Sequence, residues 1–455
     1  MEFNIIILGI VAFIMWSFIS FVASRGPYGW ASPVSLLSIG LLVLYIIPSL
    51  YWQFRPWPYL LPPYFEGLHL VLIGAIIFGV PFLFYSLRQK NTGSIARKAL
   101  EIPVARYSRI LWVCVVPVLM GMGWRLYLIT LGYQSRLTRA DTVLFGSQEL
   151  AYLFGNITYY FAAFYFALFA FGNKRQRQIG AFFWICDAIL QIYTLHRYAI
   201  LIFVFRSSVF LAILGYKFSR KQWLGIVLSI MFVISIIGST AFRAGQLVGG
   251  EKAYLSPGQA VEVVGEMAAG LVSDETVSFV FTAIDDTVFR LYEARSASPV
   301  MMGVPDIIPY FYGETFLQVF YSFIPRYFWA GKPDLYEIQA VTILVMPNDD
   351  GVNPAGSIAE LFMNFGFTAV FLGGCVCFFL CRWTDSCLNV KTVGPGLICS
   401  FPIIAEVFFA ADMSLTRRLC EGVRGIMIVA VLTILFRLSK RKPTGNDSRV
   451  SVTGI

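Results

Sequence analysis

The sequence predicts an all-α polytopic membrane protein of about eleven transmembrane helices with one large outer loop. Three observations predict it. The 455 residues are 58% hydrophobic and 16% aromatic, with a mean hydropathy of +0.71. Only 13% are charged, about half of what soluble domains carry. Apolar runs of membrane-spanning length recur along the chain and are interrupted once by a long polar stretch. The net charge of +9 lies in short clusters between apolar runs, which does not point to nucleic acid.

The runs fall at 3–23, 31–51, 67–87, 110–131, 150–172, 179–195, 198–216, 223–242, 361–381, 394–413 and 424–437. The first lacks a basic leader and is followed by Arg25. That predicts an uncleaved helix with its N-terminus outside rather than a signal peptide. Basic clusters set the orientation. Arg88, Lys90, Arg97, Lys98, Arg106 and Arg109 form one; Lys174, Arg175 and Arg177 another; Lys217, Arg220 and Lys221 a third; the tail adds Arg437, Lys440, Arg441 and Lys442. With eleven spans all of these fall on one side, which the positive-inside rule assigns to the cytoplasm. The expected organisation is helices 1–8 over 1–242, an outer loop over 243–360, helices 9–11 over 361–437 and a cytoplasmic tail over 438–455.

The outer loop holds 6 Lys/Arg and 15 Asp/Glu, so it is acidic against a basic inner face. Its 118 residues are enough for a small helical cap. Val277, Phe281, Ile284, Val288 and Leu291 follow a helical repeat, with Asp286 and Arg290 spaced to pair on the polar face. Residues 309–329 contain ten aromatics, as expected of a surface dipping into the membrane interface. From Pro443 onward the composition predicts disorder. The eight cysteines are scattered, mostly in apolar runs, and predict packing rather than a disulfide framework or a metal site. No P-loop, GxSxG or HExxH occurs, leaving ATPase, common esterase and zinc protease chemistry unsupported.

Charges inside spans are costly, about 2.5–3.5 kcal/mol each at the helix centre, and therefore read as functional by default. Arg125, Asp187, Arg206 and Glu406 are such charges. Arg125 follows Trp124 near a helix end and either snorkels or serves a site. Asp187 and Arg206 lie on adjacent helices and are spaced to pair. Glu406 is either a proton-handling group or a hydrogen-bonded buried acid. Further cations gather at the outer ends of the spans: Arg197, Arg243, Arg326, Lys332, Arg417, Arg418 and Arg424. Each either touches lipid headgroups or helps hold a phosphate, for which the planar guanidinium is suited. Arg326 and Lys332 stand six residues apart between Pro325 and Pro333, prolines that restrict the backbone. His196 is a base or an interfacial cap. Glu360 is a helix-start carboxylate favoured by the dipole, or a base facing an outer cavity. The pairs Asp285-Asp286 and Asp349-Asp350 suit a polar helix face and a turn better than a metal.

The stretch Ile324-Pro-Arg-Tyr-Phe-Trp-Ala-Gly-Lys-Pro333, the run Gly356-Ser-Ile-Ala-Glu360 followed by Asn364-Phe-Gly366, and a big loop three quarters along the spans resemble the bacterial O-antigen and oligosaccharide repeat-unit polymerases. The layout covers nearly the whole chain, but the sequence signal covers only the late loop. The resemblance implies a fold similar to membrane glycosyltransferases with lipid-linked donors. It also implies metal-independent, inverting transfer of a glycan from undecaprenyl diphosphate onto a second lipid-linked repeat unit, at the outer face of the bacterial inner membrane. No cofactor is implied; the partners are the lipid-linked donor and acceptor, membrane lipids and a chain-length regulator. Arg326, Glu360 and His196 are then the catalytic candidates. Arg197, Arg206, Arg243, Arg326, Lys332, Arg417 and Arg418 are the diphosphate-binding candidates, and no residue is assigned to a metal. A ligase with the same donor would share this architecture. A transporter of the same lipid would show pseudo-symmetric halves with broken helices, and no internal repeat is evident.

Overall fold

A computed structural model describes residues 2–25, 29–54, 67–88, 110–130, 161–193, 197–214, 294–322, 356–387, 395–409 and 415–439, with isolated positions at 216, 219, 221–222, 225, 285, 288 and 329. Every regular element among them is helical. In chain order these are α1 (Glu2–Arg25), α2 (Pro33–Leu41), α3 (Ile47–Phe54), α4 (Leu68–Arg88), α5 (Val115–Thr130), α6 (Ala162–Phe171) and α7 (Lys174–Tyr193). Then come α8 (Arg197–Ile213), α9 (Ala294–Gly303), α10 (Glu314–Ser322), α11 (Gly356–Cys387), α12 (Pro395–Phe409) and α13 (Leu415–Ser439). The chain divides into two compact units. The first is Met1–Ala99, Val288–Val393 and Ile404–Ile426; the second is Leu100–Thr287, Gly394–Ile403 and Met427–Ile455.

Local chemistry sets the element boundaries. Ser32 caps α2, its side chain accepting from the Ser35 amide at 3.3 Å, with Pro33 in the first helical position. Pro48 has no N–H to return to the Leu44 carbonyl. The ladder slips into a π turn over Leu42–Ile46, where the Ile47 amide reaches back to Leu42 O. Asn173 and Gln176 form a reciprocal capping box at the start of α7, with bonds of 2.9 and 3.0 Å. α1 is apolar on both sides. Leu8, Val11, Met15 and Phe18 are buried while Ile6, Phe13 and Trp16 face outward, the mark of a helix with lipid rather than water around it.

Among the described residues, three stretches are long and apolar enough to cross a membrane by length and composition: Pro33–Trp52, Gly356–Cys387 and Arg418–Leu438. Shorter apolar helices lie at Ile6–Phe21, Leu68–Phe82, Leu111–Tyr127, Ala162–Phe171, Ile200–Ile213 and Gly396–Phe409. The expected span 223–242 lies outside the described residues, apart from position 225.

The helix expected at 361–381 differs from its prediction. α11 is broken at Phe365 (φ −150°, ψ 30°) and Gly366 (φ 62°, ψ −152°), the latter in a region open essentially to glycine alone. A side chain on Gly373 would collide with Leu361. Residues 356–364 therefore fold back along 367–387 as the short arm of a hairpin, and only the long arm can serve as a span. A Cβ on Gly374 would lie 2.5 Å from the Phe78 carbonyl oxygen of α4, so bare backbone lets the long arm and α4 meet closely. Together with α1, α2, α3 and α9 they enclose the core of the first unit, where Val71, Phe78, Val300, Met301, Ile358 and Val370 are almost fully buried. α9, from the stretch expected to form an outer cap, packs in this core.

In the second unit α6, α7 and α8 meet through aromatics. Phe166 stacks on Phe210 with centroids 4.1 Å apart. Trp184 meets Phe169 edge-on at 5.4 Å and donates its indole N–H to Ser207 Oγ at 2.8 Å. Of the amphipathic helix expected over 277–291, only two positions are described. Val288 packs against the first unit's core, and Asp285 is buried rather than on a polar face.

Candidate functional site

The short arm of the α11 hairpin ends in a polar knot. Tyr312 (φ 46°) and Gly313 (φ 95°) take left-handed backbone conformations that fold the preceding loop over the arm's end. There the Phe311 amide donates to Met363 O at 3.0 Å. Asn364 accepts from the Gly313 amide at 2.8 Å and donates to Thr315 Oγ1 at 2.7 Å and to Glu360 O at 2.8 Å. One turn earlier, the Glu360 carboxylate faces the start of α13. It accepts from Thr416 Oγ1 at 2.5 Å and from the Thr416 amide at 3.2 Å. The Leu415 amide and the Thr315 hydroxyl also donate to it. Thr416 Oγ1 lies 3.1 Å from Thr315 O as well, but its single proton goes to the nearer carboxylate. Glu360 thus caps a helix other than its own, satisfying amides that a helix start leaves without partners. Glu360, Asn364 and Thr315 are 0% exposed and Thr416 3%. The carboxylate is enclosed by donors rather than open on a cavity.

Two residues beyond Thr416 stands Arg418, 5% exposed. Among the described residues its Nε and Nη2 have no hydrogen-bond partner. The electrostatic neighbours of Arg418 include Cys377 and Cys381 on the long arm. Glu360, the nearby carboxylate, is engaged elsewhere. One turn on from Cys381 is Asp385, whose Oδ1 is likewise buried and unpartnered. Desolvating an ion costs several kcal/mol unless an opposite charge or hydrogen bonds offset it. A guanidinium that keeps donors unused in such surroundings is prepared for an anion that can accept from two of them at once.

The second unit contains a buried ionic cluster of the opposite kind. Asp187 forms an ion pair with Arg125. It accepts from the Tyr165 hydroxyl at 2.9 Å and from Gln191 Nε2 at 3.0 Å. Arg206, expected to pair with Asp187, is instead an electrostatic neighbour of Tyr165. Arg125 does not snorkel: it is 7% exposed, against 6% for Asp187 and 8% for Arg206. Packing of α5, α6 and α7 decides which arginine reaches the carboxylate. Glu406 sits half-buried on α12.

Of the residues singled out from the sequence, Glu360 and Arg418 come together at the start of α13, both within the first unit. Arg206 lies in the second unit's cluster. His196, Arg243, Arg326 and Lys332 lie outside the described residues, as do the side chains of Arg197 and Arg417. Sequence reasoning assigned no role to Asn364, Thr315 or Thr416. Nothing in the neighbourhood of Thr315 or Thr416 marks them, whereas Asn364 stands in a glycine-bearing run that was already noted. Among the described residues no three His, Cys, Asp or Glu side chains converge. Compared with known proteins, the chain matches no family model, no curated protein and no solved structure.

Proposed function

We propose that this chain is a membrane glycosyltransferase that polymerises lipid-diphosphate-linked oligosaccharide repeat units, of the kind carried on undecaprenyl diphosphate in a bacterial inner membrane. The observation that carries the proposal is Arg418, a buried guanidinium with unused donors among apolar helices. A site of that kind suits a phosphate that arrives attached to a lipid.

In the proposed reaction a hydroxyl of one repeat unit attacks the anomeric carbon of the glycan on another carrier lipid. The new C–O bond forms with inversion, the bond to the diphosphate breaks, and the carrier leaves as its diphosphate. The acceptor's proton goes to a base, for which His196 is the candidate. Glu360, with its oxygens taken by Thr416, Leu415 and Thr315, suits holding the site better than accepting that proton, since a base needs a free lone pair within reach of the hydroxyl. Arg418, with Arg326 and Lys332 of the late loop, neutralises charge developing on the leaving diphosphate. Preorganised donors of this kind are each worth about 10²–10³ in rate. Eleven spans and catalysis at the outer face belong to the same proposal.

The test is polymerisation by purified protein given a lipid-diphosphate-linked repeat unit, with and without EDTA, using Arg326→Ala and Arg418→Gln as controls. A ladder that survives EDTA and collapses in both variants is expected. Transfer only when a lipid A core is supplied would make the protein a ligase, and no transfer to any acceptor would remove the enzyme reading.

A further inference from the structure

Glu360 connects the polar knot to the proposed anion site through contacts with Thr315, Leu415 and Thr416. Its carboxylate is fully buried and takes donors from three directions: Thr315 on α10, and both the backbone and the hydroxyl of Thr416, with the Leu415 amide, on the first turn of α13. Asn364, one turn along the same arm, ties that arm to Gly313 and Thr315. The first turn of α13 is thereby pinned at its start, and Arg418 stands on that turn. An arginine otherwise brings large rotamer freedom to any contact. A helix end free to fray would add backbone freedom to that.

We propose that Glu360 is a positioning residue. Its buried carboxylate clamps the N-terminus of α13 and so fixes the direction in which the Arg418 guanidinium presents Nε–H and Nη2–H to a phosphate. The proposal rests on the reading of Arg418 as an anion site and adds what makes that site selective for position. It also explains why a fully desolvated carboxylate near an arginine forms no ion pair with it: the four donors occupy the carboxylate and leave Nε–H and Nη2–H of the guanidinium without a partner among the described residues. Glutamine replaces it poorly, because it keeps one acceptor oxygen where the carboxylate has two, and its amide nitrogen finds no acceptor in the backbone N–H groups of Leu415 and Thr416. Aspartate keeps the acceptors on a shorter arm.

The experiment is calorimetric titration of full-length protein, delipidated in a phosphate-free maltoside, with inorganic pyrophosphate and separately with phosphatidylglycerol. Thermal midpoints are recorded in parallel. Glu360→Gln is expected to weaken anion binding at least tenfold, and Glu360→Asp to recover part of the loss. In an Arg418→Gln background, Glu360→Gln is expected to weaken residual binding less than twofold, because its effect passes through Arg418; a general structural role would give the same loss in both backgrounds. Thr416→Val, which removes only the hydroxyl donor, is expected to weaken binding severalfold and keeps the proposal open to test if Glu360→Gln does not fold. Binding that depends on Arg418 but is indifferent to Glu360 and Thr416 would overturn the positioning role alone. No binding of either anion would overturn the anion site and this role together. Binding of phosphatidylglycerol in place of pyrophosphate, still sensitive to Glu360, would keep the clamp and remove the polymerase reading.

Discussion

Two buried arginine sites in this protein face the same physical problem and meet it differently. In the second unit Arg125 is paired with Asp187, whose remaining acceptor capacity is used by Tyr165 and Gln191. In the first unit Arg418 is equally buried, yet the nearby carboxylate of Glu360 is taken up by Thr416, Leu415 and Thr315, and two guanidinium nitrogens have no partner among the described residues. A charge whose partners come from the fold holds the fold. On the reading proposed here, a charge whose partners are withheld is kept for a ligand. Composition alone makes the two look alike.

The sharpest way to break this comparison is to remove one partner of the satisfied pair. Arg125→Met leaves Asp187 uncompensated in an apolar interior and is expected to destabilise the protein by about 3–5 kcal/mol. Thermal unfolding in detergent measures it, and Arg125→Met with Asp187→Leu is expected to recover most of the loss. Arg418→Met removes an unpartnered charge. The expected effect is therefore no loss of stability but a fall of about 10²–10³ in transfer rate, read from the initial rate of ladder formation.

The polar knot is expected to show intermediate effects. Asn364→Leu strands the Gly313 amide as well as losing its own bonds, and a stranded buried group costs about 1–3 kcal/mol. Chemical denaturation of the purified protein reports it. Gly366→Ala forces a side chain into a glycine-only backbone conformation at the hairpin turn, which costs about 1–3 kcal/mol and is read the same way. Tyr165→Phe is the mildest change, removing one hydrogen bond to a carboxylate that keeps two others, and is expected to cost about 1 kcal/mol.

The apolar runs placed most of the described helices, because spanning length and composition are local properties of the chain. The α11 hairpin was not legible for the same reason. Residues 361–381 are apolar apart from Asn364 and Thr368, and nothing distinguishes Gly366 from the other glycines until its backbone is seen. Asp187 was recognisable as a buried charge, but the choice between Arg125 and Arg206 is made by the packing of α5 against α7. Arg418 was visible only as half of a basic pair, equally suited to lipid headgroups. Its significance comes from Glu360, which lies 58 residues earlier in the chain and turns away from it toward the amides of α13. Thr315 and Thr416 carried no signal at all, since a threonine becomes a ligand for a carboxylate only when the fold brings one to it.

The most direct test of the account sets Arg418→Met and Arg125→Met side by side, measuring melting midpoint and glycan transfer on the same preparations. The account predicts that Arg418→Met melts like the wild type and no longer transfers, while Arg125→Met melts far earlier. An Arg418→Met protein that melts early, or one that still builds the ladder at the normal rate, would contradict it.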